Sequence, residues 1–395
     1  MKTDIKLGSI PGDKYEEYKY DVIFNAYKWD PQVGEINTVA QHAVLISKNL
    51  ASQLEFWAQK LAEETILLEK ALMNRLQLVK KLGISKKIIN KLHLLAKCDL
   101  DKHVRLMRFD FHPTSNGWSV SEVNSDVPAG FAEGSILPKI AVKYFEGYTP
   151  GISISDIILE AFKEKLNIGS QVAFIHATSY SEDRQVMQSL GDLFENSGYR
   201  ALYAAPDNII WNDGKPKGVD AIIRAFPLEW LAYLPKSTGW HNYFGCSVPS
   251  CNPPTALLTQ SKRLPLLWDE LEIDTPIWRS LLPPTVDPKL INKNDNGWIL
   301  KPAMGRVGEG ISIKGAASEK EKTQIEKAAK KRHKEWAAQK QFLSEPLITD
   351  EGKAYHLCLG VFTVQGRAAG FYGRVSLYPH IDNSAIDIPV LVEGE

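Results

Sequence analysis

The sequence has no surplus of charge of either sign, because 47 lysines and arginines face 47 aspartates and glutamates. General binding to nucleic acid or to an anionic membrane needs excess positive charge, so neither partner is expected. The local basic group Lys80, Lys81, Lys86, Lys87 and Lys91 reads as the solvated face of helical segments. Cysteine is scarce. Cys98, Cys246, Cys251 and Cys358 contain no C-x-x-C pair and are too few for a disulfide framework, which fits a reducing cytoplasm. Cysteine catalysis would need a matched histidine, and the sequence pairs none with them. No apolar run follows the first lysines, so no secretory signal is expected. No stretch reaches the roughly 18 apolar residues of a membrane span, and internal repeats and low-complexity segments are missing too.

What is present suits a globular chain. Hydrophobic residues make up 44% and charged residues 24% of 395 positions, a length that suggests two or three domains. Residues 37–82 predict helix, since Leu54, Trp57, Leu61, Leu68, Leu72, Leu76 and Val79 recur at helical spacing. A second helix is predicted over 84–97, after Gly83. From Arg105 the period changes to two: RLMRFDFH and WSVSEVNS predict strands joined by PTSNG. Residues 168–235 predict an α/β unit, with strands QVAFIHA, YRALYAA and VDAIIRAF around a helix at 182–197. CNPPTALLT breaks the pattern, and a short helix at 261–271, a strand WILKPA, a glycine-rich loop, a strand ISI, a charged helix at 318–340 and further strands follow.

Two of these segments carry candidate chemistry. If PTSNG is the whole hairpin loop, Asp110 pairs with Val120 and Arg108 with Glu122, and Arg108, Asp110, Glu122 and Asn124 share one face with Trp118 and Val120. A two-residue turn would instead shift the register and put the acids on opposite faces. Two carboxylates and an amide suit a hard cation such as Mg²⁺, whereas an Arg108–Glu122 ion pair on a surface ladder is the plain alternative. The second segment, WILKPAMGRVGEGISI, places Gly305, Gly308 and Gly310 between two predicted strands. A Walker A or Rossmann loop leads into a helix, so neither applies. The loop is either a hairpin closing over phosphates, with Lys301 and Arg306 supplying charge, or simply a hairpin.

RFD at 108–110, E-x-N at 122–124, KPAMGRVGEG at 301–310, GR at 373–374 and DIPVLVE at 387–393 together resemble glutathionylspermidine synthetase and its relatives over residues 100–395. The amidase domain of the bifunctional members is not expected. The resemblance implies an α+β and α/β chain with a circularly permuted ATP-grasp fold, a Rossmann-like pre-ATP-grasp unit and a helical N-terminal region. It implies Mg²⁺ ligands at Asp110, Glu122 and Asn124, and Arg108 against the reacting carboxylate. Lys262 and Lys301 would contact ATP, loop 305–310 would cover its triphosphate, and Gln341, Phe342 and Leu343 would form the adenine hinge. Arg306 and Arg374 would steady charge during transfer, and Glu182, Asp183 and Asp387 would face the amine. The plain alternatives are that Glu182 and Asp183 complement a helix dipole, that Lys262 caps a helix and that Asp387 is an edge-strand acid.

The expected division is a helical region at 1–100, a metal-bearing hairpin at 101–167, an α/β unit on the substrate side at 168–250 and a lid and core at 251–395. The expected activity is an ATP-dependent ligase, using two Mg²⁺ ions, that joins a small acid or peptide, such as a glutathione-like one, to an amine such as a polyamine. After Asn124 the stretch SDVPAGFAEG departs from the synthetase, so the ATP machinery carries over more firmly than these substrates. The rival readings are a silent ATP-binding scaffold or sensor, and a phosphotransferase that makes a stable ester.

Overall fold

The computed structural model describes residues 4–29, 31–33, 36–245, 247–291, 297–306, 318–382 and 384–394. The largest sheet runs, in spatial order, Ile386–Ile388, Arg367–Ser376, Ala354–Val364, Leu106–Thr114 and Gly117–Asn124, with Pro346–Ile348 also paired to Ala354–Val364. Every pairing in it is antiparallel. Its core face is built by alternation. Phe109 and Phe111 on one strand and Leu357, Leu359 and Val361 on another are buried together, while Asp110 and Arg108 turn to the other side.

Parallel strands Ser250–Cys251, Ala221–Arg224, Gln171–Ile175 and Arg200–Ala204 form a second sheet. Val172, Ala173, Phe174 and Ile175 are all buried, as expected of a strand covered on both faces. Helix Ser181–Glu195 packs on it through Met187, Leu190 and Phe194. The α/β reading of 168–235 therefore holds. A three-stranded sheet, Thr285–Val286, Trp336–Lys340 and Trp298–Pro302, packs against helix Glu319–Lys331, which opens on a Ser318–Glu321 capping box.

Three helix expectations are corrected, the first being 84–97, where an α-helix covers only Lys86–Ile89 and a separate 3-10 helix runs Leu92–Lys97. Residues 42–46 (HAVLI) form a strand rather than the start of the long helix, which runs Lys48–Asn74 from a Ser47 cap. His42–Ile46 lies between Ile5–Ser9 and Val390–Glu393, so pairing with both ends of the chain overrides local propensity. The charged helix ends at Lys331, and Trp336–Lys340 is a strand beside Trp298–Pro302 because Trp336, Ala337 and Ala338 are buried there. The predicted strand ISI lies outside the described residues.

Buried polar residues join these layers. Arg105 pairs with Glu69 at 2.9 Å, bonds the Ser125 carbonyl at 2.6 Å and reaches Thr259 at 3.1 Å. Asn252 bonds both the N–H and the carbonyl of Leu106 and the carbonyl of Asp126, tying the parallel sheet to the start of the antiparallel one. Cys251 and Cys358 are free and buried, whereas Cys98 is disulfide-bonded, a cross-link the cysteine spacing gave no reason to expect. Among the described residues no helix is long and apolar enough to cross a membrane.

Candidate active site

The hairpin that carries the first candidate residues has a two-residue turn and a bulge. Thr114 faces Gly117 and Phe111 faces Val120, but beyond the irregularity Phe109 faces Val123 and Arg108 faces Asn124. The expected Arg108–Glu122 and Asp110–Val120 pairings are therefore wrong. Ser121 and Glu122 together span the place opposite Asp110, so the second strand changes phase at that point. As a result Val120 and Val123 both enter the core, and Glu122 and Asn124 turn away from it, off the face that Trp118 and Val120 use. A two-residue turn alone would have separated the acids, and the bulge brings them back together.

On this polar face Arg108 grips Asp110 with two hydrogen bonds, Nε to Oδ1 at 2.7 Å and Nη2 to Oδ2 at 2.9 Å. Asn124 donates to Asp110 Oδ2 at 3.0 Å, and Arg108 Nη1 donates to the Ala129 carbonyl at 2.5 Å. Gly360 lies across the strand from Asp110, and a Cβ there would fall 2.7 Å from Arg108 Cδ. Only glycine leaves that space.

Two lysines reach the same face from the other side. Lys262 Nζ pairs with Glu122 Oε2 at 2.7 Å and donates to the Gly305 carbonyl at 2.6 Å, so it is no mere helix cap. Lys301, at the end of Trp298–Pro302, donates to Gln339 Oε1 at 2.6 Å. Burial disfavours the Glu122 carboxylate, but Lys262 and Lys301 outweigh it and hold the group at about 2. Burial lowers Lys301 to about 8, with Glu122 opposing the shift and Lys262 adding to it. Burial likewise lowers His112 to about 4. Gln339 carries no sequence signal, because the composition of its segment predicts helix.

The remaining predicted residues fall into distinct places. Gly305 lies beside Lys262, while Gly308 and Gly310 are outside the described residues. Arg306 is bound to Glu229 at 2.8 Å and lies 3.5 Å from Asp126, which Arg224 also holds at 2.7 Å. Gln341, Phe342 and Leu343 follow the strand Trp336–Lys340. The Phe342 ring lies 5.1 Å from His112, and Leu343 is 74% exposed. Arg374 donates to the Asp382 carbonyl at 2.6 Å, and its Nε is buried without a hydrogen-bond partner.

Asp387 pairs across the sheet with Arg374. Its Oδ1 accepts from the Tyr372 hydroxyl at 2.6 Å and its Oδ2 from Lys28 Nζ at 2.7 Å. The Arg108 guanidinium lies over the Tyr372 ring, 5.4 Å from its centroid, so Asp110, Arg108, Tyr372, Asp387 and Lys28 form one continuous chain of contacts. Tyr372 was legible in principle, since it lies two residues before Arg374 and so on the same face. Lys28 gave no signal. Glu182 is exposed and accepts from Tyr180, and Asp183 is partly buried, which raises it to about 6. Both open the helix Ser181–Glu195, as the dipole reading also allowed. Glu182 nevertheless acts electrostatically on Lys28.

Among the described residues no group of three His, Cys, Asp or Glu side chains is placed to hold a metal. The Asp110–Glu122–Asn124 set contributes oxygen donors only, all turned to one face, and this chemistry fits a hard cation.

The comparisons agree with this architecture. A protein of Haemophilus influenzae named "Putative acid--amine ligase" is 24% identical over 218 residues, 52% of this chain. The match covers only 54% of that relative's length. The glutathione synthetase-like effector of Globodera pallida superposes with a TM-score of 0.56 at 12% identity, over 96% of this chain and 98% of its own, which shows a shared fold, here an ATP-grasp one. Residues 18–393 match the family described as "Glutathionylspermidine synthase preATP-grasp", nearly the whole chain. A match of that extent, reached independently of the hairpin and lysine geometry, makes the chain a member of that family.

Proposed function

We propose that the protein is an ATP-dependent ligase that joins a carboxylate to an amine through an acyl phosphate, releasing ADP and phosphate. The observation that carries the proposal is the juxtaposition of two sets of residues on one face. Asp110, Glu122 and Asn124 supply oxygen ligands, while Lys262 and Lys301, partly or wholly buried, supply positive charge beside them. Mg²⁺, held by Asp110, Glu122 and Asn124, would neutralise phosphate charge and polarise the transferred group.

The chain's own residues do the rest. Lys262 and Lys301 bind the phosphates, and their burial strengthens each contact because little water screens it. Arg108 orients the carboxylate that is phosphorylated. The buried, unpartnered Nε of Arg374 offers a donor to oxygen charge that develops in the tetrahedral intermediate. The segment Gln341–Leu343 borders the adenine, and Arg306, paired with Glu229 in the structure, supplies positive charge to the triphosphate. Asp387 lies on the amine side.

ADP release measured across a panel of acids and amines, with product masses, tests this reading. Amine-dependent phosphate release with an amide product is expected, and its absence for every pair defeats the proposal. A stable phosphate ester formed without amine would favour a phosphotransferase instead. Glu122→Gln should lower turnover by about 100-fold or more through lost charge at the metal and lysine site, and near-normal turnover would contradict the assignment.

A further inference from the structure

Lys28 is a buried lysine on the short stretch after helix Tyr15–Asn25, and both carboxylates that its ammonium meets are far from it in sequence. Its ammonium lies 2.7 Å from Asp387 Oδ2 and 3.4 Å from Glu133 Oε1. The backbone around it is pinned. Tyr27 adopts φ 57° and donates its hydroxyl to Asp192 at 2.6 Å, and the Trp29 N–H donates to Gln185 at 3.2 Å. A long flexible side chain is thus presented from a fixed base into an acidic end of the chain of contacts described above.

We infer that Lys28 determines which amines the enzyme accepts: it fills the acidic end of the acceptor subsite, so the acceptor carries one cationic centre and not the several of a polyamine. This rests on the acid–amine ligase reading, with Asp387 on the amine side. The count of free acceptor atoms carries the argument. Both Asp387 oxygens are engaged, by Tyr372 and by Lys28, and Glu133 Oε1 is engaged by Lys28. Glu133 Oε2 is buried with no hydrogen-bond partner. A buried carboxylate oxygen left in that state costs stability until a donor reaches it, and one N–H of an incoming amine satisfies it. Lys28 and Arg374, which lies across the strand from Asp387, both act on Asp387, so the open Glu133 oxygen is the place left for one further N–H and no more. The distal ammonium of a diamine would instead meet Lys28 at close range, in surroundings where like charges repel strongly.

The test compares n-butylamine with 1,4-diaminobutane on the full chain by titration calorimetry, with the wild type and Lys28→Met. Removal of the internal ammonium should tighten diamine binding by about ten-fold or more while monoamine binding changes little. A smaller rise, or none, including no binding to either protein, overturns the inference. If Lys28→Met does not fold, the wild type decides. A diamine bound about ten-fold or more tightly than the monoamine refutes the inference, and comparable or weaker diamine binding sustains it. Turnover adds a second readout: the ratio of ADP release with diamine to that with monoamine should rise in Lys28→Met. A purely structural role for Lys28 would lower both rates and leave the ratio unchanged. Failure of ADP release with every acid–amine pair would instead count against the ligase reading, and calorimetry would still report on Lys28.

Discussion

Removing the Asp110 side chain strands the buried Arg108 guanidinium that it neutralises through two hydrogen bonds. Asp110→Ala should therefore abolish turnover and also destabilise the fold by about 3–5 kcal/mol, because an unpaired buried charge is left behind. Asp110→Asn keeps the shape and should lose turnover with a smaller fall in melting temperature, so circular dichroism melts beside ADP release separate the two effects. Lys301 gives a pH prediction. Burial places it at about 8 in the folded protein, against roughly 10.4 in the unfolded chain. Between those values the unfolded chain binds more protons, so folding stability rises with pH there and the penalty of the buried charge is fully present below it. Urea unfolding of the wild type and Lys301→Met from pH 7 to 10.5 should show the wild type gaining on the variant by up to about 3 kcal/mol. Parallel stability curves would refute the assignment.

The hairpin shows how an element changes the meaning of its residues. Strict alternation put Trp118, Val120, Glu122 and Asn124 on one face, and the bulge at Ser121–Glu122 divides that set into core and site. Alternation is local and readable, but a bulge follows from which partner residues must be buried, here Phe109 and Phe111 against Val123 and Val120. Gly360, on the neighbouring strand, lets Arg108 cross it. Gly360→Ala would place a methyl 2.7 Å from Arg108 Cδ, and displacing a guanidinium by about an ångström costs on the order of 100-fold in rate. Overpacking should reduce stability by no more than about 3 kcal/mol. Steady-state kinetics set against chemical denaturation checks this, and an unchanged kcat would show that Arg108 needs no such precision. Trp336–Lys340 teaches the complementary lesson. Its Ala- and Gln-rich sequence favours helix, and only burial beside Trp298–Pro302 makes it a strand that delivers Gln339 to Lys301.

At the scale of the whole molecule, the two ends of the chain are part of one sheet. Val390–Glu393 lies between His42–Ile46 and Tyr148–Thr149, and Leu391 is fully buried. Truncation after Pro389 should expose the apolar edge of His42–Ile46, lower the soluble yield and reduce the melting temperature by several degrees. A truncated protein with the wild-type melting curve would show the sheet to be dispensable. The same closure brings Lys28 to Asp387, 359 residues apart. The sequence alone determined the balanced charge, the α/β unit at 168–235, the hairpin with its acids and Lys301 beside the glycine loop. These follow from composition, short-range periodicity and short motifs, all local properties of the chain. Tertiary structure alone decided the register that unites Asp110 with Asn124, the strand fate of 42–46 and 336–340, and the arrival of Lys28, Glu133 and Tyr372 beside Asp387. Each of those depends on burial against residues remote in sequence, and no local pattern records which distant partner will exclude the water.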